Sequence, residues 1–184
     1  MPLVARLLLL LALIAGAPLH AAQHMTVAAV AETRDPAPGK PFAVAIVMAP
    51  APGWHGYWRN PGDAGAAPQI AWTTPPGTRT SDPAFPVPQR LSVAGIMNYV
   101  YEGRYALIVQ ITPPAAARGA FPLGAKIDYL VCSASLCVPE KAEVSLPLTI
   151  GDGQPDPAVA GDFARYRQAL PRPLGVAGAF ALAD

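Results

Sequence analysis

Proline punctuates this chain too often for a helical bundle. Twenty-three of its 184 residues are prolines, and proline breaks helix interiors while suiting turns and strand ends. Between the prolines and glycines lie short runs rich in β-branched and aromatic residues, the pattern of strands bounded by turns. These runs are MTVAAVAE (25–32), FAVAIVMA (42–49), WHGYW (54–58), QIAWT (69–73), RYALIVQIT (104–112), AKIDYLVC (125–132) and AEVSLPLTI (142–150). The second is apolar throughout, which predicts a central strand buried on both faces. Roughly seven short strands with frequent turn signals predict an all-β, antiparallel sandwich.

The N-terminus predicts export from the cytoplasm. Arg6 precedes an apolar run from Leu7 to Ala17, and the small residues Ala21 and Ala22 follow. That order predicts a secretory signal peptide over 1–22. The run is too short for a transmembrane helix, which needs roughly 20 apolar residues. The sandwich is expected over 23–150, and a linker with a short helical tail over 151–184. Within that tail AVAGDFARYRQAL (158–170) sets Phe163, Tyr166 and Leu170 on one side of a helix. Thirteen basic and twelve acidic residues nearly cancel, so there is no electrostatic basis for binding nucleic acid.

Two cysteines, Cys132 and Cys137, lie in YLVCSASLCVPEK (129–141). In an oxidising compartment such a pair is expected to join. Closing so short a loop removes only about 2 kcal/mol of unfolded-state entropy, and the strand ends it ties are already neighbours. A redox role and a structural one both remain open on spacing alone. The apolar neighbours Leu130, Val131, Leu136 and Val138 would raise a thiol pKa by desolvation. The spacing is not C-x-x-C and no βαβ pattern surrounds it, which excludes a thioredoxin-like motif.

Other chemistry finds less to work with. His24, His55, Met25, Met48 and Met97 offer soft ligands that would suit Cu(I) alongside the thiols, but no His or Met lies inside the cysteine loop. Hydrolysis would need His55 as base, and no G-x-S-x-G elbow accompanies it. WHGYW reads instead as an aromatic core segment.

Three stretches, GWHGYWRNPGDAGAAPQIAW (53–72), YVYEGRYALIVQI (99–111) and YLVCSASLCVPEKAEVSLPL (129–148), together resemble the periplasmic N-terminal domain of DsbD-type thiol:disulfide interchange proteins, most of all the ScsB-like branch. The resemblance spans about residues 25–150. It implies an immunoglobulin-like sandwich in the periplasm, a component of a protein-disulfide reductase, whose Cys132 and Cys137 are the exchanging pair. Electrons would come from a membrane thiol reductase or a thioredoxin-like domain. They would pass to exported proteins in disulfide reduction, cytochrome c maturation or copper-stress tolerance. No cofactor and no metal are implied. Pro139 matches the proline after the second cysteine, and Tyr99, Tyr101 and Glu102 match a Y-x-Y-E-G stretch whose strand lies beside the pair. The family shields its cysteines with an aromatic cap; PVPQRLSVAG (86–95) occupies that place here, with Leu91 standing in. This chain shows no membrane or thioredoxin-like domain, so a separate electron donor is expected. The alternatives are an immunoglobulin-like binding domain with an inert disulfide, and a Cu(I)-binding module.

Overall fold

A computed structural model describes residues 23–172 and Gly175. The signal-peptide expectation over 1–22 and most of the chain after Arg172 lie outside the described residues. Among the described residues the architecture is an immunoglobulin-like antiparallel β-sandwich with one short helix.

The first sheet is built on FAVAIVMA. Strand β2 (Phe42–Pro50) pairs on one side with β1 (Met25–Ala31) and on the other with β8 (Tyr105–Thr112), which also holds the short β5 (Arg79–Thr80). Both central strands are buried on two faces, as their unbroken apolar runs require. Val44, Ile46, Met48, Leu107, Val109 and Ile111 face the sandwich core. Ala43, Ala45, Val47, Ala106 and Ile108 face outward, where α1 (Ala160–Gln168) covers them with Phe163, fully buried. Tyr166 and Leu170 pack at the edge of the same cluster. The expected helical face is therefore the face that docks.

The second layer centres on a long hairpin. Strands β9 (Ala120–Cys132) and β10 (Cys137–Thr149) pair along their whole length, thirteen residues each. Both begin earlier than 125 and 142, because the hairpin ladder carries them through Pro122 and Pro139, which read as breaks in the sequence. Strict alternation along β9 puts Phe121, Leu123, Ile127, Tyr129 and Val131 into the core. Lys126, Asp128, Leu130 and Cys132 share the opposite, outer face by the two-residue period. β4 (Gln69–Thr73) pairs with the lower part of β9. Above it, β3 (Gly56–Gly62) takes over the same edge of β9 through a bridge between His55 and Cys132.

β3 continues the layer into a hairpin that the composition had left unassigned. It pairs with β7 (Ile96–Tyr101), which pairs with β6 (Gln89–Val93). Ala94 and Gly95, both at positive φ (50° and 82°), make the two-residue turn, the geometry that matches strand twist. Thus the segment proposed as a cap is the outer strand of a sheet. Its polar residues Arg90 and Ser92 alternate with Leu91 and Val93, which hid it from a search for apolar runs.

Candidate functional site

The turn that carries the cysteines is closed by its own serine. Ser133 N–H donates to the Leu136 carbonyl at 2.8 Å, and the Leu136 N–H donates to Ser133 Oγ at 3.2 Å. Cys132 and Cys137 are the next rung, directly opposite, with Cα atoms 4.1 Å apart and a disulfide between them. Hydrogen-bonded and non-hydrogen-bonded pairs alternate along an antiparallel ladder. The Ser133–Leu136 bond therefore makes the cysteine rung a non-hydrogen-bonded one. The backbone N–H and C=O of Cys132 point the other way, to His55, at 3.0 and 2.8 Å.

By the same alternation Pro139, opposite Leu130, has its nitrogen on the free edge of β10. No ladder bond is lost there, as is usual for proline in edge strands.

The two sulfurs have unlike surroundings. Cys132 is 1% exposed although it lies on the outer face of β9. It is covered by a small cluster with Tyr57 and Val100, against which Leu91 and Leu130 pack. Cys137 is exposed, and so is Leu136 beside it at 56%. Of the four apolar neighbours expected to desolvate the thiols, only Leu130 does so. Val131 and Val138 turn into the main core, and Leu136 stands in water.

Tyr57 is itself roofed by the 63–68 loop that follows β3. A Cβ on Gly65, at φ +96°, would strike the Tyr57 ring, so glycine is required there on both counts. Asp63 anchors the loop by exchanging hydrogen bonds with Met97, one through each of its backbone N–H and its carboxylate, both 2.9 Å.

Residues singled out in the sequence fall into two groups. Cys132, Cys137, Pro139 and Leu91 share the outer face of the second layer, although Leu91 sits on β6, separated from β9 by β7 and β3. Glu102 follows β7 opposite His55 and adds negative potential there. Tyr99 and Tyr101 have the opposite phase. Tyr101 is buried in the core, stacked on Tyr105 at 4.1 Å and donating to the Pro86 carbonyl at 2.7 Å. Tyr99 meets the edge of Trp58. By the two-residue period both rings lie on the face of β7 opposite Val100, which packs on Cys132.

His55, which the sequence offers as a copper ligand or a hydrolytic base, lies in the segment that reads as aromatic core. It is 6% exposed, and as the register partner of Cys132 it projects from the same face. Its Nε2 lies 3.3 Å from Tyr57 Oη, with the rings edge to face. Burial lowers its pKa below the ordinary value, with Glu102 partly opposing, and burial raises that of Tyr57. The alternation of Trp54, His55, Gly56, Tyr57 and Trp58 already separates this His–Tyr pair from the two tryptophans, which pack on the core.

The copper reading finds its ligands dispersed. Met25 and Met48 are buried in the core, and His24 stacks on Trp54 while pairing with Glu140 at 2.7 Å. Among the described residues, no three His, Cys, Asp or Glu side chains group as a metal site. A cleft of about 720 Å³ between α1 and the β7–β8 turn is lined by Val87, Arg104 and Tyr166 among others, and contains neither cysteine. Among the described residues no helix is long and apolar enough to cross a membrane.

Comparison with known proteins bears on the fold and the family. The N-terminal periplasmic domain of ScsB from Proteus mirabilis superposes with a TM-score of 0.62 at 24% identity, covering 82% of this chain and 56% of that one. The chain thus spans little more than half the length of that domain. The reduced N-terminal domain of DsbD from Neisseria meningitidis gives a TM-score of 0.43 at 18% identity, covering 71% of this chain and 90% of that one. A comparison with curated proteins returns no match. Residues 23–149 match the family model of the thiol:disulfide interchange protein DsbD, N-terminal, and with its disulfide at the hairpin tip this chain belongs to that family of thiol:disulfide exchange domains.

Proposed function

We propose that this chain is a periplasmic electron carrier that takes a pair of electrons from a thioredoxin-like or membrane thiol reductase and gives them to exported proteins. The observation that carries this reading is the asymmetry of the disulfide, with Cys137 exposed and Cys132 buried. An incoming thiolate attacks the sulfur it can reach. The partner's thiolate bonds to Cys137 Sγ, the Cys132–Cys137 bond breaks, and Cys132 Sγ leaves with the electron pair. The partner's second thiol then attacks its own sulfur in the mixed disulfide and releases Cys137, leaving the partner oxidised and this domain a dithiol. In the second half of the cycle Cys137 attacks a client disulfide, and Cys132 displaces the client as its thiol. Leu91, with Leu130, Val100 and Tyr57, shelters the resolving sulfur.

The test is to express Cys132→Ser and Cys137→Ser in the periplasm, quench with acid and compare non-reducing gels. Cys132→Ser, which keeps the reachable thiol and lacks the resolving one, is expected to accumulate a mixed disulfide with a thioredoxin-like protein. Cys137→Ser is expected to accumulate little. Trapping by Cys137→Ser alone, or equally by both, overturns the assignment of roles, and no adduct from either favours an inert disulfide.

A further inference from the structure

The sulfur that must act as resolving nucleophile is the buried one, and burial among apolar groups holds a thiol in its unreactive protonated form. Tyr57, Val100, Leu130 and Leu91 surround Cys132. Among these neighbours and its register partner, one side chain is a base of suitable strength. His55 and Cys132 exchange two backbone hydrogen bonds, at 2.8 and 3.0 Å. Cross-strand partners of this kind project side by side, with Cβ atoms about 5 Å apart.

The geometry points to His55 as the proton acceptor of the resolving step, with Tyr57 holding its ring. The inference rests on the exchange reading above. In the mixed disulfide on Cys137, His55 takes the proton of the Cys132 thiol and becomes imidazolium. Cys132 thiolate attacks Cys137 Sγ, the intramolecular disulfide forms, and the client sulfur leaves as a thiolate that accepts the proton back. When a reductase opens the disulfide, the same steps run in reverse, and imidazolium protonates the departing Cys132.

The groups around the ring fit this part. Tyr57 Oη lies 3.3 Å from Nε2, and burial keeps the phenol protonated well above neutral pH. With Nε2–H donated to the Tyr57 hydroxyl oxygen, the resting neutral ring keeps its free lone pair on Nδ1, the nitrogen that takes the proton; a histidine's tautomer is set by the partner of its other nitrogen. Burial keeps the imidazole neutral, and so basic, at physiological pH. Glu102, exposed and opposite on the β7 side, favours the imidazolium that the step creates. Tyr105, on the far side of β3, reaches Gly56 and not the ring.

The experiment uses dithionitrobenzoate, an aryl disulfide that releases one coloured thiolate at each step. Mixed with the reduced protein in a stopped-flow instrument, it gives a first phase for attack by Cys137. A second phase, independent of probe concentration, reports resolution by Cys132. In the wild type the second rate is expected to rise with pH to a plateau, with its inflection below the ordinary histidine value of 6.5. His55→Gln is expected to slow this phase about a hundredfold at neutral pH, the scale of general-base catalysis. It should also abolish the inflection and leave the first phase unchanged. An unchanged second rate and profile in His55→Gln overturns the proposal. Should His55→Gln not fold, Glu102→Gln decides: the inflection is expected to move to lower pH, and an inflection that stays in place overturns the proposal. The probe needs no biological partner. A failure of periplasmic trapping would therefore strike the carrier reading and leave this result standing.

Discussion

Cys132 and Cys137 share one rung of the β9–β10 ladder, 4.1 Å apart at Cα, yet the first is 1% exposed and the second stands in solvent. Access governs reaction with small alkylating agents. Iodoacetamide is expected to modify Cys137 in the Cys132→Ser variant at least about tenfold faster than Cys132 in Cys137→Ser. Adding Leu91→Ala to the latter should speed its reaction by opening the cluster around the sulfur. Mass spectrometry of timed samples checks both. Equal rates for the two single variants would remove the asymmetry on which the assignment of roles depends.

Removing both sulfurs should leave the sandwich folded. The loop they close is short, worth about 2 kcal/mol in the chain-entropy account, while domains of this size hold roughly 5–15 kcal/mol. The backbone bonds of Ser133 and His55 hold the two strand ends in place on either side of the rung. Urea unfolding of Cys132→Ser/Cys137→Ser is expected to show a cooperative transition at a lower midpoint, with the circular dichroism of the native state retained.

The stacked tyrosines beneath β3 should respond in opposite ways. Tyr101→Phe strips the Pro86 carbonyl of its donor and is expected to cost about 1 kcal/mol. The Tyr105 hydroxyl is buried without a partner, so Tyr105→Phe is expected to be neutral or stabilising. Gly56→Ala would drive a methyl into that hydroxyl and to 2.9 Å from Met25 Cε, at a cost of about 1–3 kcal/mol. The cost should shrink in the Tyr105→Phe background, a coupling that a double-mutant cycle measures.

Acidification should weaken the fold through His55. Its folded pKa lies below the ordinary 6.5. Below that value the unfolded chain takes up a proton that the folded one resists. The stability His55 contributes is therefore present above about pH 6.5 and lost as pH falls through its folded pKa. The midpoint of urea unfolding is expected to drop between neutral and mildly acidic pH, and less steeply in His55→Gln. Parallel curves for the two proteins would contradict the burial of this imidazole in the folded state.

What a single sequence discloses here follows from the range of the interactions concerned. FAVAIVMA announces a strand buried on both faces, and β2 is one, because periodicity is a local property. The helix over 160–168 announces its docking face through Phe163 and Tyr166 for the same reason. QRLSV does not announce β6, since three of its five residues are polar. The phase of WHGYW separates His55 and Tyr57 from the tryptophans. That His55 meets Cys132, however, depends on β3 displacing β4 along the edge of β9, a pairing between segments far apart in the chain. Tyr99 and Tyr101 show the converse: a motif whose strand the family resemblance sets beside the cysteines has its aromatic rings on the other side of that strand.

The disulfide is the penultimate rung of a long ladder and is flanked on both sides by backbone hydrogen bonds, Ser133 to Leu136 beyond it and His55 to Cys132 beside it. Opening it therefore unties nothing. The oxidised and reduced domains are expected to present the same outline to whatever docks at the hairpin tip, so that a partner must sense the difference through the sulfurs themselves. In the proposed carrier role, electron traffic would then be governed by redox potential and collision, with product release requiring no refolding.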